Sequence, residues 1–229
     1  MATTNEKRKF VKVQTEEGQV SFPNVWEAKK VNADDKEAKF SSQLIFTIED
    51  TPASKAEGRR KVSIENMRAA VRECLTDVFG ADRAKWPAFG DGTQGTLKLP
   101  FRDGATEPGK KDQRGYGVGT VFITATSKPK PGIVQAWAGP DNKPAPLTVP
   151  SDFYGGCFAR FTLNAYYWKY MGKQGVSFGL LNIQKIRDGE PFGNRKNAAD
   201  EFDAIPEPGQ AGGAPAGSPP QAPASGVGV

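Results

Sequence analysis

The chain has 229 residues, of which 37% are hydrophobic and 25% charged, with a net charge of +5 and a sequence pI near 9.1. It contains no histidine, which excludes an imidazole base, a Ser-His or Cys-His pair and any zinc site built on histidine. No apolar run approaches the roughly 18 residues of a spanning helix, and the N-terminus lacks the apolar core of a secretory signal, so we expect a cytosolic protein.

Strand-like segments dominate the first 205 residues, since stretches rich in β-branched and aromatic residues are bounded by Gly, Pro, Asp or Asn. They are residues 9–13, 21–29, 39–48, 96–101, 117–125, 133–137, 156–170 and 176–186. One helix is predicted over residues 65–79, with Ser63 as its cap and Gly80 at its end. Its apolar residues recur at spacings of three and four: Met67, Val71, Cys74, Leu75 and Val78.

Many short strands, one helix and two long charged loops, at residues 50–60 and 102–114, favour a mainly β protein, either a small barrel or a sandwich. The preferred architecture is the oligonucleotide-binding (OB) fold, a five-stranded β-barrel, here with one packed helix and long loops. Residues 1–205 would form this domain. Residues 206–229, with six Pro, six Gly, five Ala and one charge, predict a disordered tail.

Residues 156–170 separate into two chemically different faces when every second residue is taken. One face is apolar: Cys157, Ala159, Phe161, Leu163 and Ala165. The other mixes rings, a guanidinium and hydrogen-bonding groups: Phe158, Arg160, Thr162, Asn164, Tyr166 and Trp168. Such a mixture suits unpaired bases, because every base has a π-face that stacks on an aromatic ring. The alternative is a strand buried on both faces, with the rings in a second layer of core.

Basic and aromatic residues are interleaved in several further segments that are expected to be neighbouring strands and loops. Together they predict a basic groove with stacking platforms, although surface Lys and Arg and single core aromatics are common. The candidate nucleic-acid-binding residues are Lys98, Phe101, Arg102, Arg114, Tyr116, Lys128, Lys130, Trp137, Phe158, Arg160, Tyr166 and Trp168. The arginines of the predicted helix, Arg68 and Arg72, are instead interpreted as a solvated surface.

Catalytic interpretations are weaker. Asp188 and Glu190 resemble a carboxylate pair for magnesium, as does the acidic segment at residues 200–203, but acidic pairs in turns are usually solvated. The glycines of residues 90–95 lack the Lys-Ser/Thr and the helix of a phosphate-binding loop. We therefore predict no enzyme, no metal and no cofactor.

The C-terminal third resembles a family of bacteriophage single-stranded DNA-binding proteins that was first catalogued as a domain of unknown function. The resemblance rests on SDFYGGCFARFTLNAYYW, GVSFGLLNIQKIRDGEPFG and DEFDAI, with FPNVWEA, LPFRDG and YGVGTVFITATSKPKPGIV upstream in the same order. It implies an OB-fold protein that coats single strands during phage replication, recombination or repair, without catalysis, in the cytoplasm of an infected bacterium. The basic and aromatic positions inside matching motifs are Arg102, Tyr116, Lys128, Arg160, Tyr166 and Trp168.

Two alternatives stay open at this point. The chain could be a virion or scaffold protein whose aromatic face packs against another subunit, since protein interfaces also favour Tyr, Trp and Arg. It could also be a metal-dependent nuclease that uses Asp188 and Glu190. Expected partners are single-stranded DNA, phage or host replication proteins at the acidic residues 200–203, and a second copy of the chain at an exposed strand edge.

Overall fold

Nine strands and two α-helices make up the regular structure of the described residues, which in this computed structural model are 10–30, 37–139 and 141–193. The strands are β1 (Val11–Gln14), β2 (Gly18–Lys29), β3 (Lys39–Thr47), β4 (Arg102–Asp103), β5 (Thr120–Ser127), β6 (Gly132–Ala138), β7 (Pro144–Pro146), β8 (Phe158–Tyr170) and β9 (Lys173–Arg187). The helices are α1 (Pro52–Ala56) and α2 (Glu65–Phe79). The predicted mainly β class with one substantial helix is confirmed.

Five of these strands close into a ring. β2 pairs with β3, β3 with β5, β5 with β9 and β9 with β8, and β8 returns to β2 at Gly18 and Gln19. The pairing of β5 with β9 is parallel and the other four are antiparallel. A five-stranded ring is the arrangement typical of the OB fold, and pairing around the ring leaves few strand edges to be protected. The remaining strands extend the ring, with β1 on β8, β4 on β5, β6 on β9 and β7 on β6.

The interior of the ring is filled by the inward-facing side chains of its strands, because alternate residues of a strand point to opposite faces. Phe46, Phe161 and Phe178 are among the side chains that are fully buried there. α2 covers this core at β1 and β8 through Met67 and Leu75. The helix ends at Gly80, whose positive φ of 84° suits glycine.

Four local features differ from the sequence prediction. Residues 96–101 form no strand; Leu97 and Lys98 make only single bridges, to Phe89 and Gly175, and Pro100 has no N–H to extend the pairing. The N-cap of α2 is Ile64, so Ser63 accepts the N–H of Glu65 from one position further out.

The packed face of α2 reaches Phe79 at the end of the helix, where its ring lies edge-on to Tyr167 with centroids 5.5 Å apart, but it does not include Val78. Val78, which was predicted on that face, is 44% exposed. The predicted loop at residues 50–60 contains the short helix α1, capped by Thr51. The two cysteines, Cys74 and Cys157, are buried free thiols, and burial raises the pKa of Cys157 to about 11.

None of the helices within the described ranges is long and apolar enough to cross a membrane. The tail predicted for residues 206–229 and the acidic segment at residues 200–203 lie outside the described residues.

Candidate nucleic-acid interface

The outward face of β8 presents the rings that the sequence pattern placed there. Ala159, Phe161, Leu163 and Ala165 are fully buried, whereas Arg160 is exposed and Thr162, Asn164, Tyr166 and Trp168 are half-buried. From Arg160 to Trp168 the alternation predicted for this strand is therefore confirmed. From Arg160 to Trp168 the face runs for roughly 27 Å, at about 3.4 Å per residue.

An open groove lies beside the distal half of this face. We call it the aromatic groove; its volume is about 210 Å³, and it crosses β5, β8 and β9. Two cationic side chains, Lys98 and Arg102, stand on the same groove as the two rings. The groove is lined by Lys98, Arg102, Thr124, Thr126, Tyr166, Trp168 and Ser177, among others. Four residues predicted from separate sequence segments are thus brought together.

Two glycines of β9 allow the rings to lie close to the sheet. Trp168 pairs with Gly175, where a Cβ atom would come within 3.0 Å of Trp168 Cζ2 and 2.7 Å of the Lys98 carbonyl oxygen. Tyr166 passes Gly179 less closely, at 3.7 Å from such a Cβ atom. Gly175 is therefore the position at which the indole and the Lys98 backbone both approach β9.

This close approach predicts an asymmetric response to alanine at the two glycines. Gly175→Ala is expected to lower the free energy of unfolding by about 1–3 kcal/mol, because the new methyl group forces the Lys98 backbone and Trp168 apart. Gly179→Ala is the matched control, since its methyl group would make only ordinary contacts. Urea unfolding of both variants measures the difference. Equal stability of the two would show that the indole does not lie against Gly175.

Trp168 offers the groove its hydrocarbon surface. Its indole N–H is buried and has no hydrogen-bond partner within the described residues, while the side chain as a whole is half-buried. The solvent-facing part of the ring is then carbon, which suits stacking better than hydrogen bonding. Tyr166 is met edge-on by Phe10, with ring centroids 6.0 Å apart.

The cations differ in how they are held. Arg102 forms an ion pair with Glu107 at 3.0 Å. Arg160, further along β8, donates its Nε–H to Gln184 Oε1 at 2.7 Å, and Gln184 donates in turn to the Gln135 carbonyl at 3.2 Å. This chain of hydrogen bonds fixes the guanidinium of Arg160 on the exposed face without neutralising it.

Two predicted platforms are not exposed, and for these residues the stacking prediction is corrected. Tyr116 is 7% exposed, packs on Phe122 and donates its hydroxyl to Gln43 Oε1 at 2.5 Å; burial raises its pKa to about 12. Phe158 is 3% exposed because Arg187 lies 3.4 Å above its ring and Gly189 approaches its edge. The chain that follows β9 covers it.

The remaining predicted residues lie around the aromatic groove or apart from it. Phe101 packs edge-on against Phe178 and lines the neighbouring surface with Lys98. Lys128 pairs with Glu37 at 2.5 Å, which lowers the pKa of that carboxyl, and Lys130 lies 5.4 Å from the ring of Trp26.

Arg114 and Trp137 lie outside the lining of the aromatic groove. Arg114 forms an ion pair with Glu190 on a second groove, of about 490 Å³, beside Phe22 and Phe192. Trp137 is 74% exposed at the end of β6 and does not line the aromatic groove.

Two of the carboxylates considered for catalysis, Asp188 and Glu190, are already paired. Asp188 accepts hydrogen bonds from Lys185 at 2.6 Å and from the Tyr154 hydroxyl at 3.1 Å, and the hydrogen bond from Lys185 is the largest cause of its lowered pKa. Glu190 pairs with Arg114. Within the described ranges no group of three or more Asp, Glu or Cys side chains is placed to hold a metal ion.

Sequence reasoning missed two exposed aromatic residues near the interface. Phe10, 56% exposed, precedes β1 and contacts Tyr166. Phe89, 61% exposed, lies on the surface that continues from Lys98 and Arg102. Phe10 follows a lysine and Phe89 precedes a glycine, so the local sequence does not distinguish either from an ordinary loop residue. Only the fold, which brings each ring next to distant strands, identifies it as a candidate.

Comparison with known proteins gives a consistent result. The family described as "Enterobacter phage Enc34, ssDNA-binding protein" matches residues 11–211. The single-stranded DNA-binding protein of bacteriophage Enc34, solved in complex with ssDNA, superposes with a TM-score of 0.55 at 16% identity, over 80% of this chain and 90% of that one. A C-terminal truncation of the same phage protein gives 0.54 at 17% identity, over 79% and 88%. No curated protein matches the chain.

Proposed function

Because this chain belongs to the Enc34 single-stranded DNA-binding protein family, we propose that it binds single-stranded DNA with little sequence preference and without catalysis. The DNA lies along the outward face of β8 and through the aromatic groove. Binding protects and organises single strands during phage DNA replication, recombination or repair, in the cytoplasm of the infected bacterial host.

The observation that carries this proposal is the convergence of Tyr166, Trp168, Lys98 and Arg102 on one open groove. Stacking of a base on an aromatic ring contributes roughly 1–3 kcal/mol, and cations follow the phosphates of the backbone. Two half-buried rings, each lying along the sheet, give fixed surfaces on which bases stack at little entropic cost. Duplex DNA hides the faces of its bases, so the groove favours unpaired strands.

Low sequence preference follows from the polar groups of the groove. Thr124, Thr126 and Ser177 carry hydroxyls, which donate or accept hydrogen bonds and therefore do not select one base edge. The described lining of the groove contains no Asn, Gln, Asp or Glu that would read a base in a bidentate manner, and its one guanidinium, Arg102, is held by Glu107. Affinity then comes from stacking and charge, which every base and every phosphate supplies.

The partner contacts belong to this proposal as well. Residues 200–203 stay the predicted contact for replication proteins, and a homodimer at a strand edge stays a prediction. Residues 1–205 are assigned to the DNA-binding domain.

Fluorescence anisotropy with a labelled single strand and its matched duplex, with and without magnesium, tests the function. We expect the single strand to bind more tightly and to stay intact. Cleavage that needs magnesium would support the nuclease alternative. Assembly of the purified chain with no response to oligonucleotides would support the virion or scaffold alternative.

Trp168→Phe distinguishes stacking from hydrogen bonding at the groove. Because the indole N–H is buried and phenylalanine retains a stacking surface, we expect affinity for a single strand to fall by less than about 5-fold, which corresponds to about 1 kcal/mol. A loss as large as that of Trp168→Ala would show that the N–H, and not the ring face, contacts the DNA. Anisotropy titrations of both variants provide the comparison.

A further inference from the structure

A pocket of about 490 Å³ lies next to α2, outside the aromatic groove. Its floor is apolar and includes Val71, Leu75 and Leu99. Its walls carry three arginines and the aromatic rings of Trp86, Phe89 and Phe101. We call it the arginine pocket and define it by Arg68, Arg72, Arg83, Trp86 and Phe89.

The walls of the arginine pocket combine the groups that bind unpaired nucleotides. Phe89 is 61% exposed, so its ring is available to a ligand, and Arg83 lies 5.8 Å from the centroid of the half-buried Trp86 ring. Arg68 and Arg72 share one carboxylate, Glu65, at 2.8 and 3.5 Å. No described carboxylate lies within ion-pair distance of Arg83. The pocket therefore has an excess of positive charge over its own acidic groups.

The backbone links this pocket to the aromatic groove. Trp168 on β8 pairs with Gly175 on β9, Gly175 is bridged to Lys98, and the adjacent Leu97 is bridged to Phe89. Three successive strand spacings of about 4.8 Å separate Trp168 from Phe89 across these segments, or about 14 Å in all. The surface between them is lined by Phe89, Lys98, Phe101 and Arg102, so it shares residues with the arginine pocket on one side and with the aromatic groove on the other.

We propose that the arginine pocket is a second subsite for the same single strand, in which Phe89 stacks a base and the arginines hold phosphates that follow the segment bound at Tyr166 and Trp168. The inference rests on the proposed function, because continuity with the aromatic groove is what selects a nucleic acid as the occupant. An acidic peptide of a partner protein would use the same charges, but it would not need a path to the groove.

The test measures affinity against oligonucleotide length, from about 4 to about 16 nucleotides, the range of site sizes for one such fold. For the wild-type protein, we expect affinity to rise with strand length until the strand is long enough to occupy both the aromatic groove and the arginine pocket. Phe89→Ala is expected to remove that late gain, lowering affinity for the longest strand about 5- to 150-fold, as for one lost stacking ring. Arg83→Gln is expected to lower the salt slope for the longest strand by about 0.7.

Two matched controls separate these effects from general ones. Val118→Ala removes another exposed apolar side chain, 72% exposed, and Arg60→Gln removes another exposed charge; neither residue lines the pocket or the groove. Photocrosslinking of a strand that carries 5-bromodeoxyuridine, followed by peptide mapping, reports contact directly, and adducts at residues 86–89 are expected.

The outcomes are distinguishable. If the wild-type protein binds no single strand of any length, the proposed function fails and the subsite falls with it. If the wild-type protein binds but Phe89→Ala and Arg83→Gln keep the wild-type length dependence, the subsite is refuted while the function stands. If the Phe89→Ala and Arg83→Gln variants lost affinity for an acidic peptide while their DNA binding stayed unchanged, the pocket would be assigned to a protein partner. That result would equally overturn the inference.

Discussion

Replacing Tyr166 and Trp168 together with alanine is expected to weaken binding to a single-stranded oligonucleotide by about 2–6 kcal/mol, or about 30-fold to more than 10,000-fold. Both rings line the aromatic groove, and each lies near a glycine of β9 that leaves room for it. Alanine removes the stacking surfaces and leaves Lys98 and Arg102 in place. The residual affinity of the double variant would then be mainly electrostatic and would disappear at high salt.

The control for this variant is Val118→Ala, which removes an exposed apolar side chain that does not line the groove. It is expected to bind single strands as the wild-type protein does. Urea unfolding of all variants separates lost contacts from lost structure. Wild-type affinity of a folded Tyr166→Ala, Trp168→Ala double variant would mean that DNA follows another surface.

Much of the fold could be predicted from local patterns in the sequence. The alternation of β8 is a local property, and it identified the buried side through Phe161 and Leu163. The period of α2 and its terminal Gly80 are local in the same way. The strand predicted at residues 96–101 is absent because that segment is held by distant partners: Lys98 is anchored by one bridge to Gly175, which is 77 positions further along the chain.

The site shows the same division between local and long-range information. The alternation of side chains along β8 placed Tyr166 and Trp168 correctly on the outward face, because alternation depends only on neighbours in sequence. It could not reveal that Arg187 and Gly189 cover Phe158, or that Tyr116 closes against Phe122 and Gln43. These contacts join segments that meet only when the ring closes.

The arginines of α2 illustrate a further gap. Arg68 and Arg72 were interpreted as a solvated surface, and both are indeed exposed and paired with Glu65. The apolar pattern of the helix carries no information about the segment that packs opposite these arginines, which contains Trp86 and Phe89. A charged helix surface becomes the wall of a pocket only through that long-range packing.

Salt dependence is the second large effect that we expect. If Lys98, Arg102 and Arg160 each neutralise one phosphate, log affinity against log salt should fall with a slope of about −2, at about 0.7 per phosphate on a single strand. Arg102 must break its ion pair with Glu107 before it can pair with a phosphate. Arg160 is hydrogen-bonded to the neutral Gln184, so it can pair with a phosphate without breaking an ion pair.

Lys98→Gln should therefore reduce the slope by about 0.7 and weaken binding most at low salt, where counterion release contributes most. Lys143→Gln, in the exposed turn before β7, makes the same change of net charge away from the groove and is expected to leave the slope unchanged. Titrations at several salt concentrations measure both slopes. Equal slopes for the two variants would mean that only the net charge of +5 attracts the strand, and that the cations beside Tyr166 and Trp168 make no contact with its phosphates.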